Sequence, residues 1–451
     1  MGAFHAYDIR GVYNVDFDKE VAYKVGYFLP ELLSAEKVLV GRDARVSSDE
    51  IHEWLLKGIT DAGADVYDAG LCTTPMVYFG TAFYGFKASV QITASHNPAE
   101  YNGMKVSREN ALPVGYDTGL GQIKEWIETG RECPVAEKRG EVHQIDVRKD
   151  YLPFLLKYKE DWSGLKIAMD VSNGMASLFV HEIFGDEPAY IYDNMDGTFP
   201  NHEPNPLVPK NVVDLQKLVA ATKADIGIIF DGDADRVMFV DENSRFISPD
   251  LMIAVLGHYF LEERGEKGYI HQDIRSSKAV GEYLAPMGGV MNTWRVGRAY
   301  AALKLRELDG VYGGELAGHY YFRDFFYSDS GLLAAILIVN VVARMKAQGV
   351  SLSQLIGRIE KYQNSGEINF RLEDKKGAMD AVRDYFMQNE KSTAYMDFDG
   401  YRVEFPDWWF NIRPSNTEPY LRFICEATSK ELLDEKVAKV REILTDQFGA
   451  K

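Results

Sequence analysis

The chain reads as three similar α/β units built on mixed or parallel sheets, followed by an α+β unit. Three observations predict this. Through most of the sequence, short β-rich apolar runs alternate with helical patterns, and that alternation places helices on the faces of a mostly parallel sheet. The last quarter differs, with β-rich runs following one another between two helical stretches. The length, 451 residues, suits about three domains and leaves ample chain for several cores. No strict period relates the units, so they read as divergent structural repeats.

In the first unit, residues 1–145, an early strand bends at the glycine of Tyr7-Asp8-Ile9-Arg10-Gly11. Strands are expected at 37–41 and 64–68, with a helix between them capped by Ser47 or Ser48 and running to about Ala62. Thr74-Pro75 opens the next helix, and 88–93 is a strand. Asn102-Gly103 is expected to turn a hairpin that places Lys105 beside the loop after that strand. The second unit, 146–246, has strands at 166–170 and 225–230, helices after Gly174 and over 211–222, and a hairpin at Asn243-Ser244. The third, 247–360, alternates helices from about Pro249, over 277–284 and over 298–308 with strands at 268–272, 290–293 and 310–312. The apolar run 332–342 contains Asn340, is too short to cross a bilayer and reads as a buried helix. The fourth unit, 361–451, has strands at 367–372, 395–398, 401–405, 409–412 and 421–426, an Asp399-Gly400 turn, and helices over 377–387 and 430–447.

Four motifs carry the chemistry. Thr93-Ala94-Ser95-His96-Asn97-Pro98 holds a serine hydroxyl in a bend at the end of a strand, because the residue before proline is biased away from the helical region. Asp231-Gly232-Asp233-Ala234-Asp235-Arg236 ends a buried strand with three carboxylates. At about 4 Å each pair would repel by on the order of 4 kcal/mol at an effective dielectric near 20. A hard cation such as Mg²⁺ removes that cost, while Gly232 and Ala234 permit close approach. The spacing lacks the sixth-position glycine and twelfth-position glutamate of a calcium-binding EF-hand loop. Arg413-Pro414-Ser415-Asn416-Thr417-Glu418-Pro419 offers a guanidinium fork, hydroxyls, an amide and turn N–H groups to a phosphate dianion. Gly313-Gly314-Glu315-Leu316-Ala317-Gly318-His319 combines close backbone approach with groups able to grip sugar hydroxyls. In open α/β sheets ligands bind beyond the carboxyl ends of strands, where Ser95, Asp231 and Glu315 are all expected.

With these motifs in this order, the sequence resembles the α-D-phosphohexomutase superfamily, and most closely its bacterial phosphomannomutase/phosphoglucomutase branch. The resemblance runs from Tyr7-Asp8-Ile9-Arg10-Gly11 to the Arg413 loop. It implies four domains around a central cleft, with the C-terminal domain closing over the other three and Arg10 facing the cleft. It also implies a phosphohexomutase that converts hexose 1-phosphate to 6-phosphate through a phosphoserine at Ser95 and a hexose 1,6-bisphosphate. Mg²⁺ would be held by Ser95, Asp231, Asp233 and Asp235, with Arg236 a further positive contact. Arg413, Ser415, Asn416, Thr417 and Arg422 would grip the phosphate that is not reacting. Glu315 and His319 would bind ring hydroxyls, and His319 or Lys105 would carry the proton. Two departures from the branch bear on sugar choice. Leu316 and Ala317 replace a Met-Ser pair, which removes a hydrogen bond worth about 0.5–1.5 kcal/mol. Arg295 and Arg298 stand where a lysine and a histidine are usual, so forked guanidinium groups replace other geometries at the substrate. Phosphoglucosamine mutases carry glutamine at the position of Leu316, which argues against that alternative.

The net charge of −18 argues against a nucleic-acid partner, so locally clustered Arg and Lys must attract the anionic substrate. Cys72, Cys133 and Cys425 have neither disulfide-framework nor zinc spacing. Residues 1–6 lack an apolar signal core and Ala6 breaks the myristoylation pattern, so a cytoplasmic enzyme with no membrane or obligate protein partner is expected. Two rival classes remain: a metal-dependent sugar phosphatase would release phosphate without needing the Arg413 anchor, and a sugar-phosphate sensor would not need Ser95 and the aspartates. No Gly-x-x-x-x-Gly-Lys-Ser/Thr loop supports an ATP-dependent kinase.

Overall fold

The structure, a computed structural model, describes residues 2–415 and 419–450. Its first sheet has the order Ile9–Val12, Tyr101–Arg108, Ala88–Ile92, Lys37–Arg42, Asp65–Leu71, Val142–Gln144. The Ala88–Ile92, Lys37–Arg42 and Asp65–Leu71 strands run parallel, and Tyr101–Arg108 returns antiparallel. Every residue of Ala88–Ile92 is buried, as expected of a strand with helices on both faces.

Two local expectations need correction. Asn102-Gly103 turns no hairpin; both residues lie inside the Tyr101–Arg108 strand. Gly103 sits opposite Arg10, and an added Cβ would stand 2.1 Å from the Ile9 carbonyl oxygen. This glycine serves close strand packing, and the chain reverses earlier, where Tyr101 N–H donates to Pro98 O at 3.1 Å. Lys105 still reaches the serine loop, because the strand pairing puts it opposite Gln91. Ser47 occupies the cap position of helix Ser48–Asp61 without a side-chain cap bond. Its hydroxyl instead accepts from Asn102 at 2.8 Å, and Ser48 Oγ donates to Asp43 at 2.6 Å.

The second sheet runs Phe246–Ile247, Val237–Asp241, Ile226–Phe230, Ile167–Asp170, Ala189–Ile191, mixing parallel and antiparallel pairs. The third places Gly289–Trp294, Gly268–Asp273 and Tyr312–Gly314 in parallel, then Tyr320–Phe322 and Ser328–Asp329 antiparallel. Its Tyr312–Gly314 strand starts two residues later than the sequence suggests, at the glycines that lead into Glu315. The fourth sheet is antiparallel along Gln363–Asn364, Leu421–Ala427, Trp408–Pro414, Tyr401–Glu404, Ala394–Met396. Helices Lys375–Asn389 and Lys430–Phe448 accompany it. Three mixed α/β domains thus precede an antiparallel α+β domain.

One apolar core joins the first three domains. Val77, Phe79, Tyr151, Phe230, Phe325 and Ile336 belong to a single buried cluster. Helix Gly331–Ala347 lies inside it and is apolar on all sides, the pattern of a buried helix. Its Asn340 is satisfied by Tyr158 O and Trp162 Nε1, each at 2.7 Å. Among the described residues no single helix is long and apolar enough to cross a membrane. The C-terminal domain has a separate core around Val382, Phe386, Trp408 and Val440.

That domain docks on the third mainly through polar contacts, with the Trp294 and Phe398 rings 4.9 Å apart beside them. Arg402, stacked 3.8 Å over Trp409, donates to the carbonyls of Ile274 and Ser276 at 2.9 and 2.6 Å. Glu426 accepts from Ser277 Oγ at 2.7 Å, Trp409 Nε1 at 2.8 Å and Asn364 Nδ2 at 2.9 Å.

Burial and nearby Asp250 push the Glu426 carboxyl up to about 7 from an ordinary 4.5. A carboxyl raised in the folded state contributes fully below its unfolded pKa, and that contribution is lost as pH rises through the folded one. Glu426→Gln removes the titration. Denaturation between roughly pH 5 and 8 should show the variant gaining on the parent as pH rises, by up to about 3 kcal/mol. Parallel stability profiles would contradict a raised Glu426.

Candidate active site

The Ala88–Ile92 strand ends in a turn in which Asn97 N–H donates to Ala94 O at 3.0 Å. Ser95 sits there with φ 53°, in the left-handed region that non-glycine residues avoid. Its N–H is held by Thr93 Oγ1 at 2.9 Å. The buried hydroxyl donates to Asp231 Oδ2 at 3.1 Å and lies 3.3 Å from His96 Nδ1. Burial and the surrounding Arg236, Arg10 and Lys105 charges keep His96 well below the usual imidazole range. Arg10 reaches the same loop, donating to Asn97 Oδ1 at 2.9 Å and pairing with Asp8.

Strand Ile226–Phe230 delivers Asp231, Asp233 and Asp235, all fully buried. Lys105 Nζ bridges Asp233 Oδ2 at 2.7 Å and Asp235 Oδ2 at 2.5 Å. Burial opposes the ammonium charge, but these two carboxylates outweigh it and hold its pKa well above normal. Arg236 Nε donates to Asp231 Oδ2 at 2.9 Å. Burial and the two neighbouring aspartates push Asp231 up to about 7. Thr74 Oγ1 donates to Asp233 Oδ2 at 2.5 Å, and its N–H to the Asp233 carbonyl at 3.0 Å.

Asp233 Oδ1 and Asp235 Oδ1 are buried without a hydrogen-bond partner among the described residues. Each of the three aspartates offers an oxygen, and these lie within 4.8 Å of one another. Buried acceptors lacking donors are costly unless a cation coordinates them, and an all-oxygen set suits a hard divalent ion. The acidic cluster fits a metal.

The third sheet adds the Glu315 turn. Gly318 closes it at φ 86°, and the Arg236–His319 bridge joins it to the acidic loop. His319 Nδ1 donates to Asp329 Oδ2 at 2.7 Å and stands 3.9 Å from Asp235 Oδ1. That bond assigns the Nδ1–H tautomer to the neutral ring and leaves Nε2 as the basic nitrogen. Burial opposes a charged ring, but Asp235 and Asp329 outweigh it and raise the pKa. Glu315 Oε1 accepts from Gly297 N–H at 2.7 Å, and burial raises its pKa. Arg298 is already engaged: it donates to Asp329 Oδ1 at 2.9 Å and Ala111 O at 3.1 Å, 3.6 Å over Tyr78. This arginine braces the first domain against the third. Arg295 packs 3.9 Å over Tyr300 and keeps a buried Nε without a partner among the described residues.

In the fourth sheet Arg413 and Arg422 are direct cross-strand neighbours. Like charges so placed destabilise a sheet, and each is offset by an acid: Asp399 at 3.1 Å from Arg413, Glu367 at 3.1 Å from Arg422. Among the described residues Arg413 Nη2 is buried without a partner. Ser415 N–H donates to Tyr420 O at 2.9 Å. Asn416 and Thr417 lie outside the described residues.

Sequence reasoning missed several neighbours. Asp399 Oδ2 also accepts from Val296 N–H at 2.8 Å, coupling the Arg413 strand to the third domain. Asp273 Oδ2 holds Leu316 N–H at 2.8 Å. Tyr7 OH donates to Val296 O at 3.2 Å, and Gly297, at φ 118°, abuts its ring. Thr74 carried a signal only as a helix opener, and Asp329 carried none.

Four family models match the chain in order. They are phosphoglucomutase/phosphomannomutase alpha/beta/alpha domain I over 1–132, domain II over 149–244, domain III over 248–362, and the C-terminal domain over 367–443. The chain is 37% identical over 456 residues to a phosphomannomutase of Salmonella montevideo, covering 98% of both. Among solved structures it is similar to a phosphoglucomutase/phosphomannomutase family protein of Burkholderia thailandensis. That match has a TM-score of 0.88 and 29% identity over 99% of this chain and 97% of that one. Its fold is also similar to that of Aspergillus fumigatus N-acetylphosphoglucosamine mutase in complex with GlcNAc-6P and magnesium. There the TM-score is 0.58 and the identity 14%, over 90% and 82% of the two chains.

Gly232 sets the separation between the serine and acidic loops, since an added Cβ would stand 2.4 Å from the Ser95 carbonyl oxygen. Gly232→Ala must push the loops apart. Hexose-phosphate turnover should fall on the order of 100-fold, with a lower melting temperature from the overpacking. Full activity in this variant would show that the loops need no such contact.

Proposed function

Because the chain belongs to the phosphoglucomutase/phosphomannomutase family, we propose that it interconverts hexose 1- and 6-phosphates, mannose phosphates first, through phospho-Ser95 and a hexose 1,6-bisphosphate. It is an isomerase of the phosphohexose mutase class. The observation that carries the mechanism is the Ser95 hydroxyl, 3.1 Å from the buried three-aspartate cluster. The mannose preference rests on the 37% identical phosphomannomutase.

The domains 1–145, 146–246, 247–360 and 361–451 divide the work into serine, metal, sugar and phosphate binding. Asp231, Asp233, Asp235 and phospho-Ser95 would hold Mg²⁺, which supplies electrostatic stabilisation to a phosphoryl group in transit. Arg236, Lys105 and Arg10 add fixed positive charge around Ser95. In the first transfer the P–O bond to Ser95 Oγ breaks as a sugar hydroxyl bonds to phosphorus; that hydroxyl's proton passes to His319 Nε2, and Ser95 Oγ leaves as an alkoxide amid that positive charge. In the second, after the bisphosphate has turned round, Ser95 Oγ bonds to the other phosphorus and His319 returns the proton to the sugar oxygen released. His319 suits this role because Asp329 fixes its tautomer, whereas Lys105 is pinned by two carboxylates. Glu315 would accept from ring hydroxyls and Arg295 would line their site. Arg298, braced on Asp329, would act through that contact. Arg413 and Arg422, with Ser415, Asn416 and Thr417 shortly after Arg413 in the sequence, would grip the phosphate that is not reacting. A phosphatase would have no use for this second anion site.

Incubation with a hexose 1,6-bisphosphate should place one phosphate on Ser95 by peptide mass mapping. Chelation should abolish isomerisation and added Mg²⁺ restore it. Isomerisation by Ser95→Ala at the parent rate would rule the reading out.

Arg413→Ala should lose charge-assisted bonds worth roughly 1.5–3 kcal/mol, about a 10- to 150-fold drop in kcat/KM. The drop should be equal for 1- and 6-phosphates, since one anchor serves both orientations. An early-melting variant with normal kinetics would make Arg413 a brace only.

A further inference from the structure

We infer that Arg45 is a positioning residue that fixes the Ser95 loop in its reactive conformation, an inference that rests on Ser95 being the phosphoryl carrier. Arg45 is 2% exposed and its guanidinium is spent on one task. Nη2 donates to Ser95 O at 3.0 Å and Asn97 O at 2.7 Å. Nη1 donates to Pro98 O at 2.6 Å and Tyr101 O at 3.0 Å. Nε faces Asp43 Oδ2 at 3.2 Å. A single planar fork thus gathers four carbonyls of the turn, and a lysine cannot reproduce that geometry.

The turn needs such a clamp. Ser95 is held at φ 53°, and an uphill backbone conformation persists only where the surroundings over-determine it. The carbonyl that Arg45 Nη2 binds is the one against which Gly232 of the acidic loop is packed. Arg45 therefore sets both the attitude of Ser95 and its distance from the aspartates. Its own place is fixed from two sides. Asp43, which takes its Nε, also accepts from Arg45 N–H at 3.0 Å and Ser48 Oγ at 2.6 Å. The Phe199 ring of the second domain lies 4.9 Å from the guanidinium, and Gly197 packs against the Ala44 carbonyl. All four loop contacts of Arg45 are to backbone oxygens, so it acts through the loop and touches no reacting atom.

Arg45→Lys keeps the charge and loses the fork, so the variant separates position from electrostatics. The parent is measured first: phosphate on Ser95 and isomerisation of mannose 1-phosphate establish the reading on which the inference rests, and their absence overturns that reading instead. In the variant, kcat per phosphorylatable Ser95 should fall at least about 30-fold with KM for the monophosphate within about threefold. Inorganic phosphate released per isomerisation should rise, because a misaligned phosphoserine gives its phosphoryl group to water instead of sugar. Phe199→Ala, which removes only the ring beside the guanidinium, should show the same signature more weakly and carries the test if Arg45→Lys does not fold. The inference is overturned if kcat per phosphorylatable serine and the release ratio match the parent, even where the melting temperature drops. It is equally overturned if KM rises in step with the loss of kcat, which would make Arg45 a substrate contact.

Discussion

Three fully buried carboxylates at the end of one strand are the constraint on which the rest of the molecule depends. Alone they would repel one another, and burial amplifies the penalty by withdrawing solvent. Part of the compensation is in place. Arg236 comes from the same loop, Lys105 from the sheet of the first domain, and Ser95 Oγ donates to Asp231 from that domain too. The cluster is tolerable only when the first two domains meet there. The Arg236–His319 bridge brings the third domain to the same point. Packing of the three sheets and assembly of the site are therefore one event, consistent with the shared apolar core beneath them.

The parts legible in the sequence were those whose chemistry is compressed into a few consecutive residues. Ser95 and the aspartates announce themselves because proline, glycine and carboxylates stand at fixed short offsets. The alternation of strands and helices was equally readable, since periodicity is local. What escaped was pairing across distance. Arg45 is an arginine among many until four carbonyls of a loop about fifty residues away converge on it. Asp329 and Asp399 are ordinary acids until His319 and Arg413 are placed beside them. Asn102-Gly103 misled for a physical reason. Glycine is selected both for positive φ and for close backbone approach, and only the neighbouring Ile9 carbonyl shows which applies. Arg298, expected at the substrate, also makes contacts that no local pattern announces, to a carboxylate, a carbonyl and the face of Tyr78.

The division of cores bears on how one serine could service both ends of a sugar. On the proposed reaction the bisphosphate must turn round between transfers, so its second phosphate must be released and gripped again without loss of the ligand. Parting the first three domains would expose large apolar surface, which is costly in water. The fourth domain is attached differently, by Arg402 to carbonyls of the third, by Glu426 to Ser277 and by Asp399 to Val296. Such hydrogen bonds, each with an ionisable side chain on one side, can be exchanged for water at a net cost of about 1.5–3 kcal/mol each, and they are few. The phosphate anchor thus rides on the domain that can lift most cheaply. Asp399 links the two requirements, because it holds Arg413 with one oxygen and the backbone beside Gly297 with the other. Gly297 in turn binds Glu315. On the proposed reaction a dianion arriving at Arg413 would compete with Asp399 for the same guanidinium, so filling the anchor would perturb the contact that ties it to the Glu315 turn. On that reading, grip on the distal phosphate and placement of the sugar ring would be coupled through a single carboxylate.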